Sequence, residues 1–123
     1  RGDLREDRMS DVLEQLAATL DQRKGSDPEA SYVASLYHKG LNKILEKVGE
    51  EATEVILAAK DVEQGAAPAG LVSEVADLWF HNMVMLSHLN VDFREVTECL
   101  QQRFGISGIE EKAGRSKQRS GQN

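Results

Sequence analysis

The residues whose types and spacing suit catalysis are five acids: Glu50, Glu51 and Glu54 in one string, and Glu74 with Asp77 in a second, separate pair. On a helix, residues three apart lie about 60° apart around the axis, so Glu51 shares a face with Glu54, and Glu74 with Asp77. Two antiparallel helices bring those four carboxylates to one point. Clustered carboxylates repel one another, which raises their pKa values, and a divalent cation offsets the cost of burying them. Hard oxygen donors, without a His-Cys set at metal-ligand spacing, select Mg²⁺ or Mn²⁺ over zinc. Such a site predicts a melting temperature that rises with Mg²⁺.

The apolar background makes the placement informative. The stripe Leu41, Ile44, Val48, Ala52, Val55, Ala59 recurs at helical spacing, with Glu51 inside it and Glu54 at its edge. In the second segment the stripe is Leu71, Val75, Leu78, Met85, Leu89, flanked on one side by Glu74 and Asp77. That pair holds the only Asp, Glu, Lys or Arg between Glu63 and Asp92. An acidic string alone is ordinary helix surface; the isolated second pair favours a metal site over two solvated faces.

Lys43 and Lys47 stand one turn apart on the flank of Glu51 and Glu54. There an ammonium group can hold a polyphosphate, although a ladder of helix ion pairs explains them as well, above all for Lys43. His81, one turn beyond Asp77, has three uses open to it: bonding an acid, touching substrate, or sitting satisfied in the interior. His38 and His88 carry no signal, and Cys99 reads as core on the last helix.

The elements that position these groups are helices. Asp11 as N-cap with Glu14 opens a first helix through Val12, Leu13, Leu16, Ala17 and Leu20, ending near Lys24-Gly25. Ser26-Asp27-Pro28 is a turn, and Ser31–Lys39 is a loop or short helix. Leu41–Lys60 is the first long motif helix; Gly49 inside it admits a close neighbour or is simply tolerated. Gln64–Gly70 is a connection short enough to force antiparallel helices. Leu71–Asn90 is the second motif helix, apolar nearly all round with Phe80, Met83 and Val84 on the far side, which predicts burial at a subunit interface. Asp92 and Glu95 open a last helix through Phe93, Val96, Cys99, Leu100 and Phe104 to Gly105. The sum is an all-α bundle of four main helices. Residues 1–8 precede Met9 without a core pattern and read as a vector-derived leader, 9–104 as the domain, and 105–123 as a flexible tail whose Arg115, Lys117 and Arg119 are chiefly solvated.

The pattern Glu-Glu-x-x-Glu, a connection of about twenty residues, then Glu-x-x-Asp resembles the signature of the all-α nucleoside triphosphate pyrophosphohydrolases, the superfamily of MazG proteins and dimeric dUTPases. Ser31-Tyr32, Lys39-Gly40, Lys43-Ile44, the block Lys47 to Ala52 and the block Glu74 to His81 resemble in particular the phosphoribosyl-ATP pyrophosphohydrolase family of histidine biosynthesis. The likeness runs from about Met9 to Phe104, and the acidic motif alone specifies only the superfamily. It implies a MazG-like bundle, assembled as a homodimer or higher homo-oligomer, that hydrolyses the α–β phosphoanhydride of 1-(5-phosphoribosyl)-ATP with Mg²⁺. The resemblance makes Glu51, Glu54, Glu74 and Asp77 the metal ligands. Glu50, about 40° round the helix from Glu54, is placed to orient the attacking water or to brace the ligands, and Glu51 is counted with it as catalytic. Lys43, Lys47 and His81 are the substrate-binding candidates. The alternatives are a MazG-type housecleaning pyrophosphohydrolase, which would share all five acids, and a non-catalytic helical interaction module, which leaves the Glu74–Asp77 pair unexplained.

Composition bounds the same reading. A chain of 123 residues makes one core. A net charge of −6 argues against a dedicated nucleic-acid binder while leaving small anionic substrates open if a metal and a few lysines reverse the sign locally. The single cysteine precludes an intramolecular disulfide. No apolar run reaches a membrane span and no secretory signal is visible, so the expected compartment is the cytoplasm.

Overall fold

The structure is a computed structural model that describes the backbone of residues 2–105 and the side chains of residues 11–105. Among the described residues there are five α-helices and no strand: α1 (Gly2–Gln22), α2 (Tyr32–Lys39), α3 (Leu41–Glu63), α4 (Ala69–His88) and α5 (Phe93–Phe104). The expected tail beyond Gly105, with Arg115, Lys117 and Arg119, lies outside them.

The first helix corrects one expectation. Asp11 is not an N-cap; it lies in the middle of α1, which already runs from Gly2. From Asp3 to Gln22 the sequence contains neither proline nor glycine, so nothing stops a helix from passing through Asp11. A 3₁₀ turn at Arg23–Gly25 ends it, and Lys24 fastens that turn to Asp21 and to Asn90 Oδ1, each at 3.0 Å.

The segment left open between loop and helix is α2. Ser31, extended at its own φ and ψ, accepts the Ala34 amide with its hydroxyl, a side-chain cap worth about 1 kcal/mol. Gly40, at φ 96°, separates α2 from α3; this left-handed value strains any other residue. The α3 helix runs one turn beyond its expected end, to Glu63, because Asp61, Val62 and Glu63 continue it until Gly65 at φ 109° breaks the backbone path.

The connection 64–68 then returns the chain, and α3 with α4 forms the most extensive helix pair, with α1 packed on α4 and α2 on α3. Leu20, Leu36, Ile44 and Val84 are the largest fully buried side chains. On α4 the fully covered residues are His81, Met83 and Val84, while Leu71, Val75 and Leu78 are half-buried. The side of α4 assigned to a partner subunit is thus partly filled within one chain, where α1 supplies cover. Val72 and Trp79 remain 65% and 56% exposed.

The described residues from Val91 to Gly105 belong to a second unit, built on α5. Asp92 caps it by accepting the Arg94 amide at 2.9 Å, and Gly105 closes it in the left-handed conformation. Only Phe93 of its expected apolar stripe is buried; Cys99 is half-buried, not core, and Val96, Leu100 and Phe104 are exposed.

Candidate metal centre

Helix α3 carries Glu51 inward because the residue falls in the stripe of Ile44, Val48 and Ala52, and it is only 7% exposed. Glu54, one turn on, is exposed at the rim, and Glu74 on α4 is half-buried across from it. One carboxylate oxygen from each of Glu51, Glu54 and Glu74 lies within 4.8 Å of the others. The Glu54 carboxyl approaches both of its neighbours closely. That is the order antiparallel helices impose, with the later turn of α3 meeting the earlier turn of α4.

Asp77 falls outside this triple and is exposed, yet its charge is felt by both Glu51 and Glu74. Three of the four expected ligands therefore converge directly, while the fourth stands at the edge of the same field.

The electrostatics are those of a site short of positive charge. Burial, the close Glu54 carboxyl and the charge of Asp77 hold the Glu51 carboxyl above its ordinary range. Glu54 first, then burial and the charges of Asp77 and Glu51, do the same to Glu74. Oε2 of Glu51 and Oε2 of Glu74 are both buried without a hydrogen-bond donor. Carboxylates can only accept, so none satisfies another while all are ionised. A divalent cation fits this donor set: hard oxygens only, close enough to share one ion, with two buried lone pairs left open.

The basic side of the site is built on α3. Lys47 Nζ lies 3.0 Å from Glu50 Oε2 and 3.9 Å from Glu51 Oε1. Bonding to Glu50 comes first in raising Lys47 above its ordinary range, and the same contact pulls Glu50 below its own. Glu50 is thus an ionised, exposed carboxylate tied to Lys47. Lys43 pairs at 3.4 Å with exposed Glu46, the ladder arrangement expected of a helix surface.

His81 is 5% exposed and both ring nitrogens are engaged. Nδ1 lies 2.8 Å from the Asp77 carbonyl, which can only accept, so the neutral ring carries its proton there. Nε2, 2.8 Å from Tyr32 Oη, then accepts from the tyrosine hydroxyl. Of the three uses open to His81, the internal contact is the one its nitrogens make. Gly49 likewise has only open space where a Cβ would sit, so within one chain no neighbour requires it.

Tyr32 is the residue of this neighbourhood to which sequence reasoning gave no role. It stacks on Phe80, with ring centroids 6.4 Å apart, and its hydroxyl is within electrostatic reach of Lys47, Glu51, Glu50 and Lys43. Burial of the hydroxyl end outweighs the lysines and holds that group above its usual range. Its position just before the motif helix was the available signal.

Fold and site together define an all-α protein whose most extensively paired helices, α3 and α4, gather acids, with a lysine alongside, at one point. The family model described as phosphoribosyl-ATP pyrophosphohydrolase matches residues 13–104. A "Phosphoribosyl-ATP pyrophosphatase" from Burkholderia vietnamiensis (strain G4 / LMG 22486) is 61% identical over 87% of this chain and 88% of its own. One of the same description from Burkholderia cenocepacia (strain HI2424) is 58% identical over 92% of this chain and 93% of its own. The chain belongs to the phosphoribosyl-ATP pyrophosphohydrolase family, and it is an enzyme of the hydrolase class.

Proposed function

We propose that the chain hydrolyses the α–β phosphoanhydride of 1-(5-phosphoribosyl)-ATP, giving 1-(5-phosphoribosyl)-AMP and pyrophosphate, in a Mg²⁺-dependent step of histidine biosynthesis in the cytoplasm. The observation that carries this reading is the convergence of Glu51, Glu54 and Glu74 within 4.8 Å, with two buried oxygens lacking a donor, in a chain of this family. Glu51, Glu54 and Glu74 hold the ion, with Asp77 as the fourth ligand; Mn²⁺ satisfies the same donors. When bound, the ion neutralises charge on the polyphosphate and lowers the pKa of coordinated water.

In the reaction, a water oxygen forms a bond to the α-phosphorus while the bond from that phosphorus to the α–β bridging oxygen breaks. The bridging oxygen departs with pyrophosphate. The chain's own groups bind and orient. Lys47 holds the polyphosphate beside the acids, and Lys43 extends the positive flank. Glu50 is ionised and 3.0 Å from Lys47, which places an acceptor for a water proton next to the phosphate-holding ammonium.

The working unit is a homodimer or higher homo-oligomer. Support comes from apolar side chains left uncovered on the helices that build the site: Ile56 and Leu57 on α3, Val72 and Trp79 on α4. No described helix is long and apolar enough to cross a membrane; in the proposed assembly a second copy of the chain covers these side chains. Light scattering on the purified chain tests this.

The deciding experiment is pyrophosphate release from phosphoribosyl-ATP, ATP, dUTP and dCTP, with Mg²⁺ and with EDTA. Selective, metal-dependent release from phosphoribosyl-ATP is expected. Release only from a simple nucleotide assigns the site to a housecleaning activity, and none from any substrate removes the catalytic reading.

A further inference from the structure

An exposed tyrosine on a helix ordinarily turns freely in solvent. Tyr32 is 51% exposed, yet it is held by two neighbours, His81 and Phe80. Its hydroxyl is 2.8 Å from His81 Nε2, Phe80 stacks against it at an interplanar angle of 22°, and His81 meets it edge-on with centroids 5.9 Å apart. His81 is immobilised in turn by the Asp77 carbonyl and by Phe80, whose ring lies perpendicular to it at 5.1 Å. The backbone is fixed too, since Tyr32 is the first residue of α2, directly behind the Ser31 cap. What remains exposed is a rigid aromatic surface whose one polar atom is already engaged. It stands beside Lys47, Glu50 and Glu51, the groups that face the phosphates.

We infer that the exposed ring of Tyr32 is the platform on which the purine base of the substrate stacks, with His81 as the residue that positions it. This rests on the proposed reaction for the identity of the base. The hydroxyl gives its one proton to His81, so what Tyr32 presents to a base is the ring face, and stacking on a ring held in advance avoids the entropy of ordering it at binding. The arrangement divides the substrate between two sets of groups: carboxylates and lysines take the polyphosphate, and Tyr32 takes the flat purine, which lies between the polyphosphate arm and the phosphoribosyl arm on N1.

The test is calorimetric titration of AMP and of ribose 5-phosphate, which differ by the base, into the Mg²⁺-loaded full chain. Wild type is expected to bind AMP more tightly than ribose 5-phosphate. Tyr32→Leu should lose about tenfold in AMP affinity, the low end of what a base–aromatic stack contributes, and keep its affinity for ribose 5-phosphate. Tyr32→Phe, which keeps the ring, should lose less. His81→Leu should raise KM for phosphoribosyl-ATP and leave kcat in place, because it acts only through the tyrosine. Equal losses for both ligands in Tyr32→Leu, or a kcat that falls with AMP affinity intact, overturn the inference. If Tyr32→Leu does not fold, wild type still decides: adenine H2 and H8 must shift upfield on binding, and unshifted protons refute stacking. Should wild type release no pyrophosphate while AMP still outbinds ribose 5-phosphate through Tyr32, the reaction is wrong and the platform stands. Hydrolysis without that preference removes the platform alone.

Discussion

Lys47 Nζ stands 3.9 Å from Glu51 Oε1, yet the Glu51 carboxyl stays above its ordinary range. The lysine is committed first to Glu50 at 3.0 Å, while burial first, then Glu54 and Asp77, hold the Glu51 carboxyl up. The acidic centre therefore lacks a compensating charge of its own.

Removing one acid should consequently have opposite effects with and without metal. In EDTA, Glu74→Gln relieves repulsion and raises the melting temperature; in millimolar Mg²⁺ wild type gains stability by binding the ion, and the variant gains less. Differential scanning calorimetry of the two proteins, with and without metal, checks both signs. Hydrolysis should fall by at least about 10² in the same variant.

The pH dependence follows from the direction of the shifts. Glu51 and Glu74 have folded pKa values above their unfolded ones, so in the window between the two the folded state binds more protons, and stability falls as pH rises. In EDTA, the stability advantage of Glu74→Gln over wild type should grow as pH climbs from about 4.3 through the folded pKa, then level off. A difference that is flat or that shrinks across this range would contradict the raised carboxyls.

Lys47 and Lys43 should separate kinetically. Lys47→Met removes the ammonium beside Glu50 and Glu51 and is expected to lower kcat/KM for phosphoribosyl-ATP by about 10², within the range for loss of a preorganised charge at a reacting phosphate. Lys43→Met, whose partner Glu46 is exposed, should cost less than about tenfold. Steady-state kinetics on the two variants would show the ranking, and equal losses would place both lysines on the phosphates.

Two backbone positions give predictions of stability. Ser31→Ala deletes the cap of α2 and should destabilise by about 1 kcal/mol. Gly49→Ala sits in the body of α3 with open space around the new methyl, and should stabilise the isolated chain by about 1 kcal/mol. Urea titrations measure both. If Gly49→Ala is more stable but less active, the glycine serves a ligand or a partner subunit.

Local periodicity determined much of this protein. The spacing Leu41, Ile44, Val48, Ala52 settles a helix and its inward face, and because Glu51 falls in that row its burial follows without a structure. The isolation of Glu74 and Asp77 in an otherwise uncharged segment marks the second half of the site, and the short connection read as Gln64–Gly70, which the structure shortens to 64–68, makes the two halves meet. Those relations lie within one helix or one hairpin, where sequence distance fixes spatial distance.

Tertiary structure alone decided the rest. That Glu54 approaches Glu74 while Asp77 stays outside the triple depends on the rotation of α4 against α3, which its apolar residues, spread around much of the helix, do not specify. That His81 meets Tyr32 depends on where α2 docks, 49 residues away in sequence, whereas its bond to the Asp77 carbonyl is local to α4. Helix propensity carried α1 through Asp11 because a cap residue stops nothing when the residues before it are also helix formers. Periodicity reports which face of a helix is apolar; only packing selects which neighbour that face meets, and at what angle.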